Sequence, residues 1–227
     1  MEKKRRIKIL AVVLICAVDI LWAAGLIYFW KEKGIILSVR NASANLPGIF
    51  LQNLAVNLPT LILLGMMLFK LRKKFVREMY LNISGDWQKR VAAVLLAVLA
   101  GVTVFCLITK EDKVTILYNL LYYVIFTAFT EEFLIRDVCT WILRTEKKSV
   151  RYLVPNLAFG AMHLFSYANW GEITLPYVVT FVTTEMLGLV CTGCAFQILK
   201  ERSGTIWLTV LLHGLMDYLV VLSYAVG

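Results

Sequence analysis

Long apolar blocks separated by short charged stretches run through this chain from one end to the other. Of its 227 residues, 60% are hydrophobic and only 17% are charged, whereas a soluble domain is nearer half apolar and a quarter charged. A helix needs about 20 residues to cross the hydrocarbon core of a bilayer. Seven blocks approach or exceed this length: 7–30, 46–69, 91–109, 114–133, 152–168, 175–199 and 204–226. The sequence therefore predicts an all-α integral membrane protein, a bundle of about seven transmembrane helices.

The Lys and Arg residues between the blocks predict the orientation. If the N-terminus is cytoplasmic, eighteen of them fall in the inner segments and five in the outer segments, as the positive-inside rule requires of a protein with seven spans. We therefore predict a multi-pass protein of the cell membrane with a cytoplasmic N-terminus. Because topology already accounts for the net charge of +9, the lipid bilayer is a predicted partner and nucleic acid is not.

Residues 1–113 carry apolar helices and a basic cytoplasmic loop, but no motif with a chemical meaning. The first block follows a basic start, as a signal peptide would, but its apolar run is too long for one, so a retained helix is predicted. The basic stretch 70–90 fits either an amphipathic helix lying on anionic lipid or a solvated loop. We expect these residues to form a separate N-terminal part of the bundle.

The five cysteines lie in or beside apolar blocks, where cysteine usually packs as a small hydrophobe. Their odd number and their positions argue against a disulfide framework. The sequence from Cys191 to Cys194 is formally a C-x-x-C motif, but it lies in an apolar, glycine-containing block. We therefore expect it to serve close helix packing rather than redox or metal chemistry.

Ionisable residues inside spanning helices cost about 2.5–3.5 kcal/mol each near the bilayer centre, so they mark candidate functional positions. They are Asp19, Glu131, Glu132, Arg136, Glu185, Asp217 and both histidines of the chain, His163 and His213. Glu185 either lines a shared cavity or pairs with Asp19 or a backbone group. The other residues, apart from Asp19, fall into three short patterns.

The first pattern, residues 131–136, closes the fourth block. Glu132 and Arg136 are four residues apart and can pair on one helix face, whereas Glu131 points about 100° away from them. A carboxylate without a partner in a low-dielectric setting holds a proton more readily than it does in water, which suits a general acid or base. The alternative is a purely structural network of all three residues.

Each of the other two patterns contains one histidine. Phe159 and His163 lie one helical turn apart, with small residues between them that allow another helix to approach closely. The spacing of His213 and Asp217 places imidazole and carboxylate on one face, where the carboxylate fixes the tautomer of the ring and raises its basicity. Each pattern alone also fits a packed structural residue. The three together, on separate helices, favour a catalytic site.

These patterns resemble the motifs of the CPBP family of intramembrane proteases, which includes the Ras-converting CAAX endopeptidases and the bacteriocin-immunity (Abi) proteins. The family pattern is EExxxR, FxxxH and then HxxxN or HxxxD, and it stands here in that order at 131–136, 159–163 and 213–217. The stretch 203–207 is similar to the family as well. The resemblance covers about residues 114–225, and it implies that 114–227 form a catalytic helical core.

The resemblance also implies roles for these residues. Glu131 would activate the water that attacks the scissile carbonyl, with the assistance of His163, while His213 and Asp217 would stabilise the oxyanion. Glu132, Arg136 and Phe159 would support the site structurally. Many family members have Asn at the position of Asp217, and an Asp donates to an oxyanion only when protonated. Otherwise Asp217 orients His213, whose imidazole is then the donor.

The donor atoms of Glu131, His163, His213 and Asp217 would also suit zinc, and the family has often been described as metalloproteases. The H-E-x-x-H signature of zinc proteases is missing, however. We therefore expect a glutamate endopeptidase that requires no cofactor, with zinc as the alternative.

The predicted substrate is a membrane-associated protein or peptide. The short loops and small size favour a bacterial peptide over a prenylated CAAX protein. The alternative function is a non-catalytic membrane immunity or binding protein of the same fold. A proton-coupled transporter would use similar buried groups, but the sequence lacks the inverted repeat typical of that class.

Overall fold

Helices form all the regular structure in the part of the chain described by the computed structural model, which is residues 2–167 and 173–224. The main helices in chain order are α1 (Glu2–Glu32), α2 (Leu46–Val56), α3 (Leu58–Leu71), α4 (Asp86–Thr109), α5 (Lys113–Ile142), α6 (Lys148–Tyr167), α7 (Leu175–Ser203), α8 (Trp207–Tyr218) and α9 (Val220–Tyr224). Short helical turns lie at Val39–Asn45, Arg72–Lys74 and Phe75–Glu78.

The predicted all-α membrane class is confirmed, with fewer full-length spans than the seven expected. Within the described residues, α1, α4, α5 and α7 are long and apolar enough to cross a membrane. The segments Val39–Val56 and Leu58–Glu78, which contain α2 and α3, form a pair bent by 62° that makes a fifth span if counted together. The blocks at α6 and at α8 with α9 are helical but fall short in length or composition. The predicted ends at 168 and at 225–226 lie outside the described residues.

Helix α5 is the centre of the bundle. Of its most apolar 18-residue window, 39% is buried, against 11–22% for the other three candidate spans. Helix α8 packs against the first half of α5, while α6 packs against both α1 and α7. Val12 and Cys16 of α1 share a core cluster with Leu134, Ile135 and Cys139 of α5. The N-terminal helices therefore pack on the C-terminal ones, and the predicted division near residue 113 stays a prediction.

The fourth block was expected to end at residue 133, but α5 continues to Ile142. The charged residues that follow the block, Arg136 and Asp137, are both buried and ion-paired, so the helix continues through the protein interior. Two π-helical stretches, Tyr122–Phe129 and Phe133–Cys139, flank the α-helical turn Thr130–Glu132. Such stretches occur frequently at functional sites.

Local signals in the sequence explain the ends of two helices that carry the candidate site. Asp112 caps the start of α5, where its Oδ1 accepts a hydrogen bond from the backbone N–H of Thr115 at 3.0 Å. Helix α7 ends at Gly204, which has a φ of +66°. That left-handed conformation favours glycine and lets the chain turn directly into α8.

The four segments predicted to be cytoplasmic meet at one end of the bundle. The N-terminal residues contact the α5–α6 loop, and the start of α6 contacts the end of α7. The stretch before α4 and the first turn of α4 contact the α7–α8 turn. The contacts are Lys8 Nζ to Glu146 Oε1 at 2.7 Å, Arg151 to Glu201 at 3.7 Å, the Ile206 N–H to the Tyr80 carbonyl at 2.9 Å and Gln88 Nε2 to the Ser203 carbonyl at 2.8 Å. We call this the inner end.

Candidate active site

His213 of α8 lies among three carboxylates. Its Nδ1 is 3.1 Å from Oε1 of Glu132, and its Nε2 is 3.4 Å from Oδ2 of Asp217 and 3.9 Å from Oε2 of Glu131. Since an ionised carboxylate only accepts hydrogen bonds, Nδ1 carries a hydrogen and donates it to Glu132. The other ring nitrogen is left facing Glu131 and Asp217.

The adjacent carboxylates Glu131 and Glu132 have different environments. The Glu132 side chain is 0% exposed, and its Oε2 lies 3.4 Å from Nε of Arg136. The side chains of Glu131 and Asp217 are 30% and 33% exposed, so the cluster is open on their side. Glu132 is therefore held in a buried ion pair, whereas Glu131 is placed where a water or a substrate can reach it.

Aromatic rings surround the Arg136 guanidinium and hold it in place. Its Cζ lies 4.9 Å from the ring centre of Phe159 on α6 and 6.0 Å from that of Phe196 on α7, within the range of cation–π attraction. The Phe196 ring is in turn 5.5 Å from the His213 ring. Arg136 thus connects α5 to α6 and α7, directly beside the candidate site.

His163 stands one turn after Phe159, and the two rings are 4.5 Å apart in an edge-to-face arrangement. Nδ1 of His163 lies 2.9 Å from the Phe159 carbonyl oxygen. Because a carbonyl only accepts, this nitrogen carries the hydrogen, and in the neutral ring Nε2 keeps its lone pair. The imidazole lies within electrostatic range of the Glu131 carboxylate. The structure thus brings Glu131, His213 and Asp217 into one cluster and places His163 near it.

A buried ion pair beside the site was missed from the sequence. Lys200 Nζ lies 2.5 Å from Oδ1 of Asp137, with the two side chains 3% and 0% exposed, and it also donates to the Arg136 carbonyl. The sequence predicts Lys200 to be one of the charges of an inner loop, but α7 extends to Ser203 and carries this residue into the interior. Asp137 is not among the candidate functional residues predicted from the sequence. An acidic residue directly after Arg136, inside an otherwise apolar run, was the available signal.

The C-x-x-C motif lies at a close helix contact, and both of its cysteines are free thiols. A Cβ atom at Gly193 would come within 2.2 Å of Asn156 Oδ1 and 3.1 Å of Arg136 Nη2. Asp19 is an acceptor between α1 and α3, with Thr60 donating to it at 2.9 Å. Glu185 is exposed on α7.

Among the residues that the structure describes, no group of three or more His, Cys, Asp or Glu side chains is arranged to hold a metal ion. Nδ1 of His213 donates to the Glu132 carboxylate. Nδ1 of His163 donates to the Phe159 carbonyl. A histidine that binds a metal through one ring nitrogen usually donates the other N–H to a carboxylate or a backbone carbonyl, so these two contacts do not decide between the mechanism without a cofactor and the zinc alternative, and both stay predictions.

Residues 113–219 match the family model described as Type II CAAX prenyl endopeptidase Rce1-like. The matched range begins with α5, ends just after α8 and contains all three motifs. No curated protein and no solved structure matches the chain.

Proposed function

Since residues 113–219 belong to the Rce1-like family, as the resemblance predicted, we propose that this chain is an intramembrane endopeptidase of a membrane-associated protein or peptide. The chain is a multi-pass membrane protein, and the family match supports a protease in general. The observation that carries the finer proposal is the placement of His213 against Glu131, Glu132 and Asp217 in a cluster that is partly exposed.

Glu131 is the general base of this mechanism. Its Oε2 is buried without a hydrogen-bond partner, and the side chain as a whole is 30% exposed. The carboxylate takes a proton from a bound water while the water oxygen attacks the scissile carbonyl. The same proton then passes to the departing amine, so that Glu131 ends the cycle as a carboxylate. His163, within electrostatic range of Glu131, assists this step.

His213 is the donor to the oxyanion. Glu132 holds the hydrogen on Nδ1, so a donor at Nε2 requires the ring to carry a second proton. The carboxylates of Glu131 and Asp217 face Nε2 at 3.9 and 3.4 Å, and their charge stabilises the imidazolium. A donor fixed in this way before the reaction is typical of an oxyanion hole. Asp217 therefore acts through His213 as a positioning residue.

The site lies nearer the inner end of the bundle than the outer end. His213 is six residues after the start of α8, or about 9 Å along the helix, and Glu131 is about 16 Å from the end of α5. The meeting of the four basic segments at that end supports the proposed cytoplasmic N-terminus. We infer that substrate reaches the site from the cytoplasmic side.

The deciding experiment replaces Glu131 with Gln, which keeps the shape and removes the base. The purified protein is assayed in detergent against peptides with and without a prenyl group. We expect cleavage to fall by about 10²–10⁴-fold, the usual contribution of a general base, with unchanged thermal stability. Glu111→Gln removes an exposed carboxylate before α5 and serves as the control that keeps full activity.

Undiminished cleavage by the Glu131→Gln variant would remove the protease mechanism. A wild-type protein that binds the peptides without cleaving them would favour the alternative of a non-catalytic membrane immunity or binding protein. The prenylated and unmodified peptides separate a CAAX-type substrate from a simpler bacterial peptide.

A further inference from the structure

A cavity of about 300 Å³ lies at the inner end of the bundle, on residues that the proposed mechanism does not use. It is bounded by the helical turn Phe75–Glu78, the ends of α5 and α7 and the start of α6. The residues that matter for its chemistry are Trp141, Arg144, Arg151, Gln197 and Lys200.

The residues that line the cavity include four basic and three acidic side chains, so the lining has a net charge of +1. Each acidic residue of the lining is paired with a lining base: Asp137 with Lys200 at 2.5 Å, Glu201 with Arg151 at 3.7 Å and Glu78 with Arg77 at 3.4 Å. Arg144 is the remaining base. Its guanidinium lies 3.9 Å from the ring centre of Trp141 and donates to the Trp141 carbonyl at 3.0 Å. Within the described residues, no acidic side chain forms an ion pair with it.

Several buried polar atoms of the lining have no hydrogen-bond partner. They are Nε1 of Trp141, Nε of Arg151, Oε1 of Gln197, which is only 2% exposed, and both oxygens of Asp137, whose charge Lys200 balances. Buried groups of this kind are almost always satisfied in a folded protein, by water or by a ligand if not by the chain. Because Lys200 balances the Asp137 carboxylate, the two N–H donors among these atoms, Nε1 of Trp141 and Nε of Arg151, lie in a wall with an excess positive charge. This combination fits a bound anionic oxygen, with Gln197 accepting from a hydroxyl beside it.

The position of the cavity indicates which anion it meets. It lies where two candidate spans, α5 and α7, end together and where the basic segments of the inner end converge. Anionic lipid headgroups are concentrated at that depth and attract basic residues there. Arg and Trp are also the side chains suited to this layer, because guanidinium binds phosphate in a fixed geometry and indole pairs an apolar body with one donor.

We propose that this cavity binds a phosphate group, carried either by an anionic lipid headgroup or by a free phosphate ester. Arg144 supplies the uncompensated charge, and Nε1 of Trp141 and Nε of Arg151 donate to the phosphate oxygens. A bound phosphate would hold the ends of α5 and α7 and the start of α6 together, and the folded protein becomes more stable as the ligand concentration rises relative to its Kd.

The test is thermal unfolding of the delipidated protein in a neutral detergent. We expect phosphatidylglycerol to raise the unfolding midpoint in a concentration-dependent manner, and phosphatidylcholine to raise it far less. Inorganic phosphate, compared with chloride at the same ionic strength, separates the two sources of the group. A shift with phosphate alone indicates a free phosphate ester, and a shift that requires the lipid indicates a headgroup.

Two variants locate the effect. Arg144→Gln with Arg151→Gln removes two charges from the cavity, while Lys147→Gln with Lys148→Gln removes two from the same segment outside it. We expect only the first pair to abolish the preference for phosphatidylglycerol. Trp141→Phe keeps the ring and removes one donor, so apparent affinity should fall about tenfold.

The proposal is overturned if both lipids stabilise the wild type equally, or if the two double variants behave alike. It is also overturned if a peptide with a free C-terminal carboxylate replaces phosphate as the stabilising ligand. The Glu131→Gln variant should retain the full response to phosphatidylglycerol, because the cavity does not depend on catalysis.

Discussion

Nδ1 of His213 lies 3.1 Å from Oε1 of Glu132, and this contact ties the imidazole of α8 to a fully buried carboxylate of α5. The other oxygen of the same carboxylate lies 3.4 Å from Nε of Arg136. One glutamate therefore has two partners. It orients the ring that we propose as the oxyanion donor, and it balances a guanidinium that is only 1% exposed.

This double contact predicts that Glu132→Gln lowers both stability and activity. Removing one partner of a buried ion pair leaves an uncompensated charge and costs about 3–5 kcal/mol. The imidazole also loses the acceptor that fixes its tautomer. The unfolding midpoint and the rate of peptide cleavage, measured on one detergent preparation, should both decrease, whereas Glu131→Gln should lower only cleavage.

A double variant separates the two effects. Glu132→Gln with Arg136→Met removes the charge of both partners, and replacing a buried ion pair by apolar residues is often close to neutral for stability. We expect much of the lost stability to return, while cleavage stays low because His213 still lacks a carboxylate at Nδ1. Recovery of cleavage together with stability would contradict the positioning role of Glu132.

The contact of Asp217 with His213 Nε2 predicts a graded response to substitution. Asp217→Asn keeps the size and the hydrogen-bonding capacity of the side chain and matches the residue that the HxxxN form of the motif carries. It keeps the acceptor that orients the imidazole but loses the charge that stabilises the protonated ring, so it should retain more activity than Asp217→Leu. Asp217→Leu removes every polar contact and should lower kcat by about 10–100-fold, as the loss of a supporting partner usually does. Equal activity of the two variants would mean that Asp217 does not act through His213.

Contacts within one helix could be predicted from the sequence because helical geometry fixes them. The spacing of four residues predicted that Glu132 could pair with Arg136 and that His213 could meet Asp217, and both contacts are present at 3.4 Å. The contact of His213 with Glu132 crosses from α8 to α5. It depends on the rotation and depth of each helix, which a periodic pattern does not contain.

The pair of Asp137 and Lys200 shows the same limit more sharply. A hydropathy pattern assigns a charged residue to a loop, because the pattern contains no information on whether a residue of opposite charge on another helix will pair with it. Once Lys200 meets Asp137 at 2.5 Å, the charge is tolerated in the interior and α7 continues past residue 199. The predicted end of α5 at residue 133 was wrong for the same reason, since Arg136 and Asp137 are both paired.

Asp112, outside the membrane-spanning helices, predicts an acid-sensitive contribution to stability. Burial acts to raise its pKa, but hydrogen bonds from Ser43 and Thr115 more than offset it, so the pKa of Asp112 lies below its usual value. A lowered pKa contributes stability that is present above the unfolded pKa and is lost as pH falls through the folded pKa. The thermal stability of the wild type should therefore decrease as the pH is lowered through this range, and thermal unfolding at a series of pH values measures it.

Two variants of Asp112 test this prediction. Asp112→Asn keeps an acceptor for the Thr115 N–H and should flatten that part of the pH dependence. Asp112→Ala removes the helix cap as well and should cost about 1 kcal/mol at neutral pH. An identical acid response in the wild type and the Asn variant would assign the effect to another group.

Helix α8 approaches α5 closely at Gly214, and we predict that the site needs this close approach to form. A Cβ atom at this position would lie 3.1 Å from both Cα and Cγ2 of Val124 and 3.4 Å from the Tyr123 carbonyl oxygen. Since two of these atoms belong to the backbone, Gly214→Ala must push the helices apart, at a cost of about 1–3 kcal/mol. Gly214 directly follows His213, so the displacement moves the imidazole away from Glu132, and cleavage should fall.

Gly188→Ala on α7 is the matched control, because a Cβ atom there meets nothing within 4 Å. This variant should leave cleavage intact. Equal losses in the two variants would show that the close approach of α8 to α5 does not set the geometry of the site.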